Sequence, residues 1–121
     1  MTEAITGSLI GIDEEVLGAT VANPTGDVLG TVDDLILDSA TGRVVYALMS
    51  FGGLLGLGTQ YFPIPWELFT HDTANSRFTV DLDKTRLETA PRHGTESEWT
   101  RRFASEIDSF YGIQRPLPAT E

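Results

Sequence analysis

A small antiparallel β-barrel with one C-terminal α-helix is the fold that this 121-residue chain predicts. Three observations carry that reading. Two turn signals, Asn23-Pro24-Thr25-Gly26 and Ser39-Ala40-Thr41-Gly42, bracket a strand-like run, because Pro presets φ and Gly takes a position that a side chain would crowd. Residues 43–51 form a strand with two apolar faces: Val44, Tyr46, Leu48 and Ser50 on one, Val45, Ala47, Met49 and Phe51 on the other. Such a strand is central, or is covered on its outer side by the C-terminal helix or by another chain. The connections between strand-like runs are short, which excludes parallel βαβ crossovers and makes an all-antiparallel sheet the economical arrangement.

Residues 1–15 read as a flexible leader whose acidic run, Asp13-Glu14-Glu15, is solvated surface. A barrel domain spans 16–90. Its first strand, Val16 to Ala22, is weakened by Gly18 and Thr20. The next runs from Val28 to Asp38; Gly30 within it marks a bend, and Asp33-Asp34, which break strict alternation, mark a bulge. Asp38 to Gly42 closes a tight hairpin. After strand 43–51 comes a Gly-Leu loop, Gly52 to Gly58, and then a short edge-type strand from Tyr61 to Trp66, whose prolines cannot donate to a ladder. Glu67-Leu68-Phe69 predicts one helical turn, His71 to Asn75 a polar turn, and Arg77 to Leu82 an alternating strand. Lys84 to Gly94 reads as a loosely ordered linker.

The C-terminal helix spans 95–112. Thr95 and Glu98 form a capping box. Trp99, Phe103, Ile107, Phe110 and Tyr111 make one apolar stripe, and Arg101, Arg102, Ser105 and Asp108 lie on the opposite face. Gly112 is the natural stop. The stripe hides on its own barrel or on a neighbour's. Residues 113–121 read as a mobile tail.

Eighteen acids against eight bases give a net charge of −10. That field repels a polyphosphate backbone, and the bases (Lys84 and scattered arginines, with Arg101-Arg102 the one adjacent pair) form no cluster for counterion release, so direct nucleic-acid binding is disfavoured. The absence of cysteine excludes disulfides, thiolate metal sites and Cys nucleophiles, and fits a cytoplasmic location. No apolar run approaches the roughly 18 residues of a membrane span, and no basic segment precedes a hydrophobic one at the N-terminus as in a signal peptide. The expectation is a soluble cytoplasmic protein that meets a membrane only through a partner.

The segment Val16 to Phe69 resembles the PRC-barrel family, which includes the cytoplasmic barrel of the photosynthetic reaction-centre H subunit and the C-terminal domain of the ribosome-maturation factor RimM. The residues that carry the resemblance are Asn23-Pro24-x-Gly26, Leu29-Gly30-x-Val32-x-Asp34, Asp38 with Thr41-Gly42-Arg43, Tyr46-Ala47, Ser50-Phe51-Gly52-Gly53 and Phe62-x-Ile64-Pro65-Trp66. The helix resembles the C-terminal extension of stand-alone bacterial members. The resemblance implies an antiparallel barrel with an adaptor role, no catalytic motif and a tendency to homodimerise. The chain departs from both named branches: it carries neither the membrane helix of the one nor the additional N-terminal domain of the other, so neither function transfers directly.

The candidate sites are few. Asp33, Asp34 and Asp38 have the oxygens a hard cation wants, or else they are a bulge and a hairpin cap bonded to their own backbone. His71 and His93 lie in loops without metal-pair spacing, and Ser50 has neither a companion base nor a nucleophile elbow. The Gly52–Gly58 loop lacks the Lys-Ser/Thr of a phosphate cradle; Leu54, Leu55 and Leu57 on it either form an exposed contact patch or plug the barrel's open end. Trp66 and Trp99 read as core anchors, because the basic groove that a base-stacking site needs is missing. The expectation is a non-enzymatic, cofactor-free protein-interaction module, a homodimer whose contact surface draws on Leu54, Leu55, Leu57, Phe103, Ile107 and Phe110. Two other roles follow by analogy alone: an accessory factor of a membrane photosynthetic or electron-transfer complex, and a ribosome-maturation helper.

Overall fold

The computed structural model describes residues 4–51, 61–94 and 98–116. Six strands form one sheet: β1 (Thr20–Ala22), β2 (Val28–Leu37), β3 (Val44–Phe51), β4 (Phe62–Pro65), β5 (Thr70–Asp72) and β6 (Arg77–Thr79). Two α-helices follow, α1 (Lys84–Leu87) and α2 (Arg101–Tyr111). The strand order is β4-β3-β2-β1-β6-β5.

The turns form for local reasons. Asn23, buried at 5% exposure, accepts hydrogen bonds at Oδ1 from the Asp27 amide at 2.9 Å and the Thr25 hydroxyl at 2.8 Å, which folds the first turn around its own side chain. Asp38 closes the β2–β3 hairpin: its amide donates to the Arg43 carbonyl, and its carboxylate accepts from Ala40 N at 2.9 Å. The bulge expected at Asp33-Asp34 is present, since Val32 pairs with Met49 and Asp34 with Leu48, leaving Asp33 opposite no residue. The helical turn expected after β4 is a single 3-10 turn, Trp66–Leu68.

Two features of the expected sheet differ. The sheet is mixed rather than wholly antiparallel, because β1 runs parallel to β6, with Val21 opposite Phe78 and Ala22 opposite Thr79. The long crossover that a parallel pair requires is supplied by the intervening strands instead of a helix. The expected closed barrel is also not shown: among the described residues the ladder ends at β4 on one side and β5 on the other. Pro63 and Pro65 explain the open side. They have no N–H, so the edge of β4 facing away from β3 lacks donors at both positions. The chain itself links those edges through Trp66–Phe69, and Trp66, Phe69 and Phe78 pack ring on ring with centroids 5.4–6.0 Å apart.

The sheet curls around Val21, Leu29, Val32, Ala47, Met49, Ile64 and Phe78. Several segments read as loose are packed against this core. Ile12–Val16 form a helical turn that seats Val16 at 2% exposure, so the leader is anchored at its end. Asp72 and His71 belong to β5, not to a polar turn. The expected linker after β6 is held: Asp83 caps α1 by accepting from Arg86 N at 2.8 Å, Leu87 and Ala90 enter the core, and His93 pairs with Tyr61 through two backbone hydrogen bonds.

Helix α2 begins later than the capping-box reading placed it. Residues 98–100 are not helical, and the cap is Thr100, whose Oγ1 accepts from Phe103 N at 3.0 Å; Thr95 lies outside the described residues. Gly112 does end the helix, in the left-handed conformation at φ 71°, with the Ile113 amide returning to the Asp108 carbonyl at 2.8 Å.

Candidate interaction surface

Strand alternation gives β3 and β4 two buried faces. Ala47, Met49, Phe62 and Ile64 point into the core. Their neighbours Tyr46, Leu48, Pro63 and Pro65 point the other way, and the register sets Tyr46 beside Pro65 and Leu48 beside Pro63. This outer set is nevertheless buried: Tyr46 is 3% and Leu48 7% exposed, and both prolines are fully covered. The cover is the chain's own α2, which packs on β4 and buries Ile107 completely. Of the two possible covers for the two-faced strand, the protein uses its own helix.

A polar clamp fixes the helix to this platform. Asp108 is buried, not on the solvated face where the stripe would leave it. It accepts from the Tyr46 hydroxyl at 3.0 Å and from Arg115 Nε at 2.9 Å and Nη2 at 3.2 Å. Arg115 Nη2 also donates to Glu67 on the 3-10 turn at 3.1 Å. Arg115, in the segment expected to be a mobile tail, makes these contacts; residues 117–121 lie outside the described residues. Nothing local in the sequence signals this clamp, because Tyr46 and Asp108 are 62 residues apart.

Aromatic rings extend the contact. Trp99 stacks on His93 with centroids 4.2 Å apart and on Tyr46 at 6.1 Å, and Phe103 leans on both Trp99 and His93. Trp99 stays 38% exposed, so it is a rim residue rather than a core anchor, whereas Trp66 does pack on the core. Phe110 is half-buried under the Arg86 guanidinium, which also donates to the Phe110 carbonyl. Of the predicted contact residues, α2 therefore carries Phe103, Ile107 and Phe110 on one helix. Leu54, Leu55 and Leu57 lie outside the described residues.

Burial raises the Tyr46 hydroxyl far above its ordinary pKa, and its hydrogen bond to the Asp108 carboxylate adds to the rise. Burial likewise pushes Tyr111 up to about 12, against a small opposing effect of Arg86. An acid whose folded pKa exceeds its unfolded value holds its full share of stability below the unfolded value, here 10.0, and loses it as pH climbs toward the folded one. Stability is therefore expected to fall steeply above about pH 10. Urea midpoints measured at rising pH check this, and tyrosinate absorbance from Tyr46 and Tyr111 is expected only as the fold opens.

Two of the three carboxylates suggested as a cation site bond the backbone: Asp34 accepts from Leu35 N and Asp38 from Ala40 N. Among the described residues no group of three His, Cys, Asp or Glu is placed to hold a metal. His71 packs its ring on Phe78, and the Ser50 hydroxyl pairs with that of Thr31. An open groove of about 760 Å³ lies along α2, lined by Pro91, Arg101, Arg102, Ser105, Glu106, Ser109 and Phe110. No described helix is long and apolar enough to cross a membrane.

A six-stranded mixed sheet whose outer apolar face is covered by the terminal helix defines the fold. Residues 13–87 match the family model of the PRC-barrel domain, and the chain belongs to that family. The family is generally non-catalytic and suggests a protein-interaction module. A comparison with curated proteins finds no match. The matched segment ends at Leu87, so α2, with Asp108, and Arg115 lie beyond it, whereas their partners Tyr46 and Glu67 lie within it.

Proposed function

We propose that this chain is a non-enzymatic protein-interaction module that works as a homodimer in the cytoplasm. The observation that supports it is a run of large apolar side chains left to solvent on one short stretch: Ile5, Leu9, Ile12 and Leu17, with Leu9 at 80% exposure. Single exposed apolar residues are ordinary, but a run of them marks a contact surface. Ile10 and Val16 hold the stretch to the core. A partner copy would cover the apolar centre, leaving Asp13, Glu14 and Glu15 as a polar rim. The contact also draws on Phe103 and Phe110 and on Leu54, Leu55 and Leu57, whereas Ile107 is completely buried within its own chain and takes no part. The net charge of −10 favours a protein partner over a polyanion. The accessory-factor and ribosome-helper roles rest on family analogy and have no residue of this chain behind them.

Sedimentation equilibrium at micromolar concentration tests the reading. The wild type is expected to be a dimer, and Leu9→Asp to shift it toward monomer. A dimer unchanged by Leu9→Asp but broken by Leu54→Asp or Phe110→Asp relocates the contact. A wild type that is monomeric throughout removes the homodimer.

A further inference from the structure

We infer that the open groove along α2 receives the acidic stretch 5–17 of a second copy, and that two copies do this reciprocally. The inference rests on the homodimer reading and names both halves of its interface.

Charge is unevenly placed along this chain. Residues 1–42 hold eight of the eighteen acids and no Lys or Arg, whereas five of the eight bases fall between Lys84 and Arg102. The fold brings three of those bases to one place. Arg101 and Arg102 line the groove, and the Arg86 guanidinium lies 4.1 Å over the ring of Phe110, which lines it too. One carboxylate, Glu106, shares the lining. Arg86 and Arg102 form no ion pair with a described carboxylate, so their charge is left for a partner. The complement is on the same chain. Asp13, Glu14 and Glu15 are exposed on the helical turn Ile12–Val16, and none of them pairs with a described base. On a molecule of net charge −10, a like copy meets repulsion over most of the surface and attraction where its acidic stretch faces this groove. The apolar parts also match: Leu9 and Ile12 stand out to solvent on the stretch, and Pro91 and half-buried Phe110 offer apolar surface in the groove. The stretch of each copy on the groove of the other makes two equal contacts about one two-fold axis, which closes the assembly at a dimer.

Sedimentation equilibrium of two charge reversals, Arg102→Glu and Glu14→Arg, alone and mixed, tests the inference. Both residues are exposed, and a glutamate in the first turn of α2 suits the helix N-terminus. Each variant is first matched to wild type by circular dichroism; Arg102→Gln replaces the reversal if it fails that check, with a smaller loss of the same sign expected. Each variant alone is expected to dissociate at least about tenfold more readily than wild type, because both contacts of its homodimer then set like charges together. The equimolar mixture of the two reversals is expected to regain a dimer, since one contact is native and the other has its charges exchanged. Raising salt from about 50 mM to about 500 mM is expected to weaken the wild-type dimer. A wild-type dimer that neither reversal moves, or a mixture of the folded reversals that stays dissociated, would overturn the groove assignment and leave the homodimer standing. A wild type that is monomeric throughout removes both.

Discussion

Asp108→Ala is expected to cost about 3 kcal/mol and to free α2 before the sheet melts. The carboxylate is 5% exposed and receives three hydrogen bonds, one from Tyr46 and two from the Arg115 fork. Removing one partner of a buried pair typically costs about 3–5 kcal/mol, because the other is left without compensation. The lower end applies here, since Arg115 is 21% exposed and keeps Glu67, and the Tyr46 hydroxyl keeps the Ala104 carbonyl at 3.3 Å. Asp108→Asn retains an acceptor for Tyr46 but gives up the charge and one of the two oxygens that the Arg115 fork uses, so it is expected to cost about 1–2 kcal/mol. Urea unfolding gives the totals. Amide exchange locates the loss: α2 amides are expected to exchange about a hundredfold faster while β2 and β3 stay protected. A change within about 0.5 kcal/mol for Asp108→Ala would mean that the clamp does not hold the helix.

Gly30→Ala is expected to be as damaging by a different route, costing at least about 3 kcal/mol, the upper range for overpacking. A Cβ at Gly30 would overlap the Ser50 carbonyl oxygen and stand 3.0 Å from the Ser50 carbonyl carbon and from Met49 Cγ. Met49 could turn aside, but the Ser50 carbonyl is backbone of the β2–β3 ladder, the longest among the described residues. Gly42→Ala is the control. Gly42 has a positive φ of 77° and open space around its missing Cβ, so the cost there is backbone strain alone, about 1–2 kcal/mol. Chemical denaturation of the two variants side by side separates the mechanisms; equal losses would show that close approach at Gly30 is not what the site requires.

These two residues also mark how far the sequence was legible. Gly30 stood out because a glycine inside an apolar run is a local departure from strand composition, although the neighbour that requires it, the Ser50 carbonyl, lies across the sheet on β3. Asp108 looked like solvated surface because its partners come from β3 and from beyond Gly112, and helical periodicity cannot report contacts to other elements. The same division holds for the sheet. The bulge at Asp33, the Asp38 hairpin and the helix stop at Gly112 follow from residues adjacent in the chain. The parallel pairing of β1 with β6 joins two three-residue strands whose composition says nothing of direction.

Hydrophobic patterning and turn chemistry were enough to set the β class, the central two-faced strand, the terminal helix and the family, because each arises from neighbours in sequence and from side-chain alternation. Tertiary packing alone decided which element covers Tyr46 and Leu48, that Pro63 and Pro65 join them as one platform, and that Asp108 and Arg115 lock the cover in place. Those choices depend on which distant surfaces meet, and the free energy that selects among them is released only when the whole chain has folded.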